Sequence, residues 1–594
     1  MYIFDNQSEF FRYPQGGIKS GTEVKLRIYI KKNYSNNSKV IIEKRQDYNK
    51  LFYKEVPLKW AGTKDSYELY EVTFTIKEYG QYLYSFTFDE NNPSPSYELL
   101  VYTENYLTPN WIKGGIIYHI FVDRFYRENI INKESKREIV IRNDWGGIPN
   151  YLPDAEGEIR NNDFFGGNLD GIIKKLPYLS EIGVTVIYLS PIFEGYSNHK
   201  YDTGNYFSID LMFGDEMTLS KLCVEAEKHG ISIILDGVFS HTGDDSVYFN
   251  RYGTYNSIGA YQNKSSPYYD WYLFNKFNED YVSWWGIKTL PQLNKENKSY
   301  IEFITGKKGV LKHWQNIGVK GWRLDVADEL PNEFLEELRT AVKTQNTDAF
   351  IVGEVWEDAS NKFSYGKLKE YFCGNQLDSV TNYPLRNAII DYVKNKDCLM
   401  LYETMNFIIE KYPPQTVNCL MNILGTHDTA RILTILGSSV TPSNKEEKAS
   451  YKLNEIELEK GIKLLKIASV LQFTLPGIPC IYYGDEVGVE GFEDPFNRLC
   501  FPWENENTVI LNHYKMLSHL RKNNLFKEGK YKCIIHDKEV FAFERYDSNA
   551  KIIVAVNLSQ ETVTLHLKEN KKDFIKGNLG NSFHLNSEEY LLLH

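Results

Sequence analysis

The chain has 594 residues, a formal net charge of −11 and 15% aromatic residues. That length exceeds one hydrophobic core and accommodates three domains, one of them large. The acidic balance leaves no basic footprint, which argues against nucleic acid or anionic membrane as partner and favours a neutral ligand. Tyr, with 44 copies the most frequent aromatic, suits stacking on sugar faces, although low-GC codon usage enriches it equally.

Seven cysteines, odd in number and scattered, with Cys419 and Cys480 inside apolar runs, read as reduced structural residues. The stretch Tyr2-Ile3-Phe4-Asp5-Asn6 shows neither the basic segment nor the apolar run of a secretory signal. The apolar stretch from Leu471 to Tyr483 is broken by Gln472, Pro476 and Pro479. The expectation is a cytoplasmic protein without a membrane span.

In chain order, residues 1–106 pattern as short strands. Val24, Leu26, Ile28 and Ile30 alternate with Lys25, Arg27, Tyr29 and Lys31, and Val72-Thr73-Phe74-Thr75-Ile76 repeats the alternation. Period two with one apolar face predicts an N-terminal β-sandwich. From about residue 111, apolar runs separated by helical patterns predict parallel strands with helical crossovers. The runs are Ile116–Phe121, Val184–Leu189, Ile231–Asp236, Gly321–Asp325, Phe350–Glu354, Leu377–Val380, Cys419–Leu424 and Ile478–Tyr482. Eight such runs within residues 107–505 predict the α/β class and a (β/α)8 TIM barrel, whose chemistry sits at the C-terminal ends of its strands. Residues 240–300, between the third and fourth runs, hold Tyr248, Tyr261, Tyr268, Tyr269, Trp271, Trp284 and Trp285. This segment is too long for an ordinary loop and predicts a small inserted subdomain overhanging the site. Residues 506–594 open with a helical stretch and continue with Val540–Phe543 and Lys551–Val556, predicting a C-terminal β-sandwich. The charged segment Lys445–Lys460 reads as a solvated helix face.

Residues two apart on a strand face one way, so Gly321, Arg323 and Asp325 share one face and Trp322 and Leu324 the other. Arg323 beside Asp325 favours an ionised carboxylate suited to nucleophilic attack, the alternative being a buried ion pair. Glu354 ends the next run after Gly353. It fits the second carboxyl of a retaining glycosidase, which donates to the departing oxygen and then serves as base toward water. Asp428, after His427, would supply negative charge near an oxocarbenium-like transition state. Asp236 ends the third run, and His241 in the loop after it is a sugar-binding candidate in the company of the other segments. No glycine fingerprint opens a helix after a strand, so no phosphate or redox cofactor is indicated.

These segments carry a family resemblance. Asp236-Gly237-Val238-Phe239-Ser240-His241, Gly321-Trp322-Arg323-Leu324-Asp325, Gly353-Glu354-Val355-Trp356 and Thr426-His427-Asp428 resemble the four signature segments of the α-amylase family of glycoside hydrolases, family thirteen. Leu290-Pro291-Gln292-Leu293-Asn294 is similar to a fifth segment, which reads Met-Pro-Lys-Leu-Asn in the neopullulanase, cyclomaltodextrinase and maltogenic amylase branch. His199-Lys200-Tyr201-Asp202-Thr203 and the N-terminal sandwich are similar to that branch as well, so the resemblance spans essentially the whole chain.

The resemblance implies a retaining hydrolase of α-1,4-glucosidic bonds in maltooligosaccharides, cyclodextrins or related α-glucans, with accompanying transglycosylation. Asp325 is then the nucleophile, Glu354 the acid/base and Asp428 the transition-state stabiliser. Tyr201 stacks on the sugar being cleaved, His241, Arg323 and His427 hold that sugar, Trp356 lines the leaving-group side, and Asp494 and Arg498 reach sugars toward the non-reducing end. Ser240 stands where many members have a calcium-ligating Asn, and Tyr126-Arg127-Glu128-Asn129 lacks the Asn-Gly-Asp pattern of many neopullulanases. Asn143, Asp144 and Asn168 could still assemble a calcium site, but loop polar residues usually cap turns, and the expectation is no required metal or other cofactor. Asp328-Glu329 and Glu357 also depart from the branch, which usually has Asn-Glu and His there. These positions lie where leaving-group sugars bind, so substrate preference is not carried over. Related enzymes often dimerise, the N-terminal domain of one subunit narrowing its partner's cleft. A homodimer is the corresponding expectation, with Trp60 and the Tyr-rich runs of that domain serving either such an interface or the sandwich core. An endo-acting α-amylase on starch is the nearest alternative. A non-catalytic glucan-binding protein is the alternative from another class, opposed by the intact set of three carboxylates.

Overall fold

The computed structural model describes residues 2–35, 37–88, 93–129 and 137–594. In its N-terminal part Val24, Leu26, Ile28 and Ile30 are buried along one strand, Glu23–Lys31, while the side chains between them reach solvent. Each such burial contributes about 1.5–3 kcal/mol, which is why the alternation fixes the register of the sheet. Two five-stranded sheets stack here, the first built on Glu23–Lys31 and Tyr67–Thr75, the second on Ser38–Gln46 and Gly80–Phe88. Their facing side chains, including Val40, Ile42, Tyr82, Tyr84 and Phe86, form one core with the first strand.

Eight parallel strands follow: β1 (Ile117–Ile120), β2 (Val186–Leu189), β3 (Ser232–Gly237), β4 (Gly321–Leu324), β5 (Phe350–Gly353), β6 (Ser379–Val380), β7 (Met421–Ile423) and β8 (Ile478–Tyr482). Their spatial order is β6-β5-β4-β3-β2-β1-β8-β7, and a parallel bridge between Thr381 and Met421 joins the two ends into a nearly closed barrel. Each expected run coincides with one of these strands, most of them one or two residues longer than the hydrogen-bonded ladder, and only β3 extends past its run, by Gly237. Trp322 and Leu324 point outward into the layer beneath the helices. Ile117, Val186, Ile234, Val352 and Met421 pack inside the barrel.

Helices cross between most successive strands, among them α1 (Leu169–Glu181), α2 (Glu216–Lys228), α3 (Asn332–Gln345), α4 (Tyr383–Asn395) and α5 (Glu455–Thr474). Their starts are set by side-chain caps: Asn168 accepts from Gly171 N, Asp215 from Thr218 N, and Asn454 with Glu457 forms a capping box. One crossover departs from the expected pattern. The connection from β5 to β6 has no helix, and carries instead a small hairpin, Phe363–Ser364 paired with Lys367–Leu368.

The N-terminal domain packs beside that connection. Gln81 Nε2 donates to Lys369 O at 3.0 Å, Thr103 N to Cys373 O at 2.9 Å and Tyr106 Oη to Leu377 O at 2.9 Å. At Gly374, φ is +111° and a Cβ would lie 2.1 Å from Thr103 Oγ1, so this contact requires glycine. The C-terminal part stacks a four-stranded sheet on a two-stranded one over Ala542, Ile553, Leu565, Phe583 and Leu591. Helix α6 (Thr508–Arg521), which precedes it, packs on the barrel against α5.

All seven cysteines are free thiols, six of them buried. Among the described residues no helix is long and apolar enough to cross a membrane.

Candidate active site

The parallel register places Asp236 of β3 beside Arg323 of β4, and Arg323 beside Val352 of β5. Asp325 and Glu354 are each the first residue past a strand. Asp325 N donates to Gly237 O at 3.1 Å and Glu354 N to Leu324 O at 2.9 Å, which continues the ladders one residue into the barrel mouth. Both carboxylates therefore sit at heights fixed by strand pairing.

Arg323 ties the group together. Its Nη1 lies 2.8 Å from Asp236 Oδ1 and 2.9 Å from Asp325 Oδ1, and its Nη2 lies 2.8 Å from Glu354 Oε2. The guanidinium fork suits this arrangement, because two nitrogens can serve separate carboxylates in one plane. Glu354 is further held by Val326 N at 2.9 Å and by Trp356 Nε1 at 3.1 Å. Val326 occupies the left-handed region at φ +38°, a conformation that costs a β-branched residue about 1–3 kcal/mol. The bonds from Val326 N and Ala327 N to Glu354 hold that turn in place.

The charge balance differs from a simple Arg–Asp pair. Burial pushes the Asp325 carboxyl well above the usual range; Arg323 pulls it down, while Glu354, Asp236 and Asp428 push it up. Arg323 is divided among three carboxylates, so its presence beside Asp325 does not by itself secure the ionised form, as the motif alone suggested. Asp428 is pushed up to about 7 by desolvation in the cleft and by Glu354, with Arg498 and Arg323 opposing. Its side chain is 36% exposed to the cleft, and water screens part of that push.

A cleft of about 840 Å³ opens above these groups. Tyr201, His241, Asp325, Glu354, Trp356, His427, Asp428, Asp494 and Arg498 all line it, so nine of the ten sequence-predicted residues converge on one wall-and-floor surface. The tenth, Arg323, is 3% exposed and lies beneath the floor, where it holds carboxylates rather than presenting itself to a ligand.

Each remaining residue has a definable chemistry. Tyr201 Oη donates to Asp236 Oδ2 at 3.0 Å, and its ring lies parallel to that of His427 at 5.0 Å. Burial pushes the His427 imidazole well below its ordinary range, so it is neutral. Its Nε2 donates to Asp428 Oδ2 at 3.1 Å, and its buried Nδ1 has no hydrogen-bond partner among the described residues, leaving an acceptor for a hydroxyl. His241 is pushed down to about 4 by burial; its Nδ1 meets Ser240 Oγ at 2.9 Å and its Nε2 meets Tyr201 O at 3.1 Å, so both nitrogens are occupied. It lines the cleft beside Trp284, whose ring centroid lies 5.2 Å from its own. Arg498 Nη1 pairs with Asp494 Oδ1 at 3.0 Å, and its Nη2 stands 3.6 Å from Asp428 Oδ1.

His119, Tyr188 and Tyr383 join the site without a motif that marks them in the sequence. His119 of β1 and Tyr188 of β2 stack at 4.2 Å, with Tyr188 donating to Asp236. The signal for His119 was available as one polar side chain inside the apolar run Ile116–Phe121. His199 lines the cleft two residues before Tyr201. Trp356 stacks on Tyr383 at 3.9 Å, an interplanar angle of 12°. Within the inserted segment Tyr248 and Trp271 are core, while Trp284 and Trp285, with Ile287 and Leu290, reach the cleft, Trp285 Nε1 donating to Glu329 Oε1 at 3.0 Å.

Two of the three candidate calcium ligands, Asp144 and Asn168, already have protein partners. Asp144 is bound by Arg142 Nη2 at 2.6 Å and by its Nε at 2.8 Å, and Asn168 caps α1.

The geometry has counterparts in known proteins. Residues 119–532 match the model of the alpha amylase catalytic domain. The chain is 36% identical to an amylopullulanase from Thermoanaerobacterium saccharolyticum over 96% of this chain and 50% of that protein. It is 32% identical to a cyclomaltodextrinase from Thermoanaerobacter pseudethanolicus over 97% of this chain and 95% of that one. The chain thus spans half or less of the amylopullulanases it matches, and nearly the full length of the cyclomaltodextrinase. Among solved structures it resembles the type III pullulan hydrolase of Thermococcus kodakarensis, with a TM-score of 0.70, 26% identity and 100% coverage of both chains. With the catalytic-domain match covering most of its length and the carboxylates seated at the ends of β3, β4, β5 and β7, this chain belongs to the α-amylase family.

Proposed function

We propose that the protein is a retaining glycoside hydrolase that cleaves α-1,4-glucosidic bonds in maltooligosaccharides, cyclodextrins or related α-glucans, with some transfer to sugar acceptors. One observation carries this reading: a single guanidinium, Arg323, contacts Asp236, Asp325 and Glu354 at the floor of the cleft. Carboxyls gathered on one guanidinium favour the short separation of a retaining pair, about 5 to 5.5 Å, over the wider spacing that admits a water in inverting enzymes.

In the first step an Asp325 oxygen attacks the anomeric carbon while Glu354 protonates the departing glycosidic oxygen. The C–O bond to the leaving sugar breaks as the bond to Asp325 forms. Glu354, now a carboxylate, takes a proton from water, whose oxygen attacks the same carbon and releases Asp325, so the two inversions give net retention. Ionised Asp428 stabilises the cationic sugar in both steps. Tyr201 supports the ring of the reacting sugar, His427 accepts from a hydroxyl through Nδ1, and His241 with Trp284 walls the site. Trp356 lies on the leaving-group side, while Asp494 and Arg498 reach the non-reducing side. Arg323 acts by holding the carboxylates.

The same proposal divides the chain into an N-terminal domain 1–106, a catalytic barrel 107–505 with its insertion near 240–300, and a C-terminal domain 506–594. It requires no metal, so chelation should leave turnover unchanged. It places the protein in the cytoplasm and in a homodimer, supported by the exposed Phe52 and Trp60 on the N-terminal domain. A monomeric mass in light scattering would remove the dimer. Side-by-side chromatography of products from maltoheptaose, β-cyclodextrin and pullulan tests the substrate reading. Rapid opening of β-cyclodextrin or panose from pullulan supports it; mixed long products from starch with inert β-cyclodextrin identify an endo-amylase instead.

A further inference from the structure

The β5–β6 connection, which lacks a helix, supplies a wall of the cleft through Lys362, Ser364 and Tyr365. Its hairpin turns at Tyr365 and Gly366, both with positive φ, +49° and +77°. Two successive positive-φ residues are the geometry of a tight hairpin turn, which Gly adopts freely and Tyr only when held. On the barrel side Lys362 anchors the hairpin base, its Nζ 3.0 Å from Asp328 Oδ2 and also paired with Glu357.

On the opposite side the hairpin rests on the N-terminal domain of the same chain. Asp47 Oδ1 accepts from Leu368 N at 3.0 Å, and Asp47 Oδ2 from Lys367 Nζ at 3.1 Å. The Tyr48 ring stacks on Phe363 at 4.7 Å with an interplanar angle of 15°. The Arg45 guanidinium also lies over that ring, 5.4 Å from its centroid, and bonds Asn361 Oδ1. Asn361 Nδ2 in turn donates to Glu98 Oε1 at 2.6 Å. Thus a turn of the N-terminal sandwich grips both strands of the hairpin, at Phe363 and at Leu368, while Ser364 and Tyr365 of the same hairpin line the cleft.

We infer that Asp47 and Tyr48 of the N-terminal domain are positioning residues for the leaving-group side of the cleft: they hold the hairpin Phe363–Leu368, and with it Tyr365, against an α-glucan extending past the scissile bond. This rests on the hydrolase reading given above. The domain beside the barrel acts as a fixed brace that shapes which glucans bind, without touching them and without reaching the carboxylates.

The test uses the full chain and the variants Asp47→Ala, Tyr48→Ala and Tyr48→Phe. Hydrogen exchange at Leu368 N–H and its hairpin neighbours is measured first, with no substrate present. Faster exchange by about tenfold or more, confined to the hairpin in both alanine variants, is expected, and unchanged exchange overturns the brace whatever the enzyme cleaves. Kinetics follow on maltoheptaose and on p-nitrophenyl α-maltoside, whose small aglycone does not extend along the hairpin. KM for maltoheptaose should rise about fivefold or more with kcat within twofold, the aryl maltoside should keep its kcat/KM, and Tyr48→Phe, which retains the stacked ring, should restore KM. Equal losses on both substrates, or none on either, refute the positioning role. If hairpin exchange responds but the wild-type protein cleaves neither substrate, the hydrolase reading has failed and the brace has not.

Discussion

The floor and the rim of the cleft are built in opposite ways. At the floor Asp236, Asp325 and Glu354 are held by strand ends and by one buried guanidinium, with almost no solvent and little freedom. At the rim Trp285 and Tyr365 are largely exposed, stand on left-handed backbone, and are held through Glu329, Asp328 and an edge of a separate domain. A pre-organised floor suits bond chemistry, which tolerates little misplacement. A rim assembled from long-range contacts can differ between relatives without disturbing the floor. That separates the rate of the chemical step from the choice of glucan.

Substitutions should expose this division, beginning with the floor. Asp325→Asn and Glu354→Gln should each reduce kcat on maltoheptaose by about 10³-fold or more with the fold intact by circular dichroism, since they remove the proposed nucleophile and the proposed acid/base. Near-normal turnover in either would break the assignment. Arg323→Met should also nearly abolish activity and, unlike the first two, lower Tm, because a buried carboxylate group left without its cation costs about 3–5 kcal/mol. Protonation relieves that penalty, so the loss in Tm should shrink as pH falls toward 4; a pH-independent loss would point to packing instead.

A smaller effect concerns pH. Asp428, pushed up to about 7, is ionised above that pH and loses its charge as pH falls through it. The acid limb of kcat/KM, to which the raised Asp325 carboxyl also contributes, should therefore lie above the ordinary carboxylate range in the ligand-free enzyme, less so to the extent that water reaches Asp428. Arg498 pulls the Asp428 carboxyl downward, so Arg498→Gln should move that limb to higher pH, and movement to lower pH would contradict the account. The smallest effect belongs to the rim. Trp285→Ala should raise KM for maltoheptaose by several-fold with kcat nearly unchanged, measured alongside Asp325→Asn as the floor control.

The same contrast governs what could be read in advance. Asp325 and Glu354 follow apolar runs whose alternation already sends Trp322 and Leu324 outward, so local sequence determines where the carboxylates point. His427 and Asp428 come from a short loop after β7 and were legible as the third of an ordered set. The consequences of crowding were not: Arg323 beside Asp325 suggests a private pair, whereas in space Asp236 and Glu354 compete for it. His241 was placed correctly on the cleft, but its nitrogens are taken by Ser240 and Tyr201, partners that sequence spacing does not reveal. The aromatic insertion gave its existence but not which rings are core, because Trp271 and Trp285 carry the same local signal. The missing crossover helix and the Asp47–Leu368 contact were invisible, since that pairing joins positions separated by 321 residues and leaves no periodic trace.

The central claim is that Asp325 becomes covalently bonded to the sugar. Incubation with 5-fluoro-α-D-glucosyl fluoride, whose fluorine slows release of the glycosyl enzyme, followed by proteolysis and mass spectrometry, tests it directly. The account predicts a fluoroglucosyl adduct on the peptide containing Asp325 and none in Asp325→Asn. An adduct on another carboxylate, or none alongside inverted products from an active preparation, would contradict it.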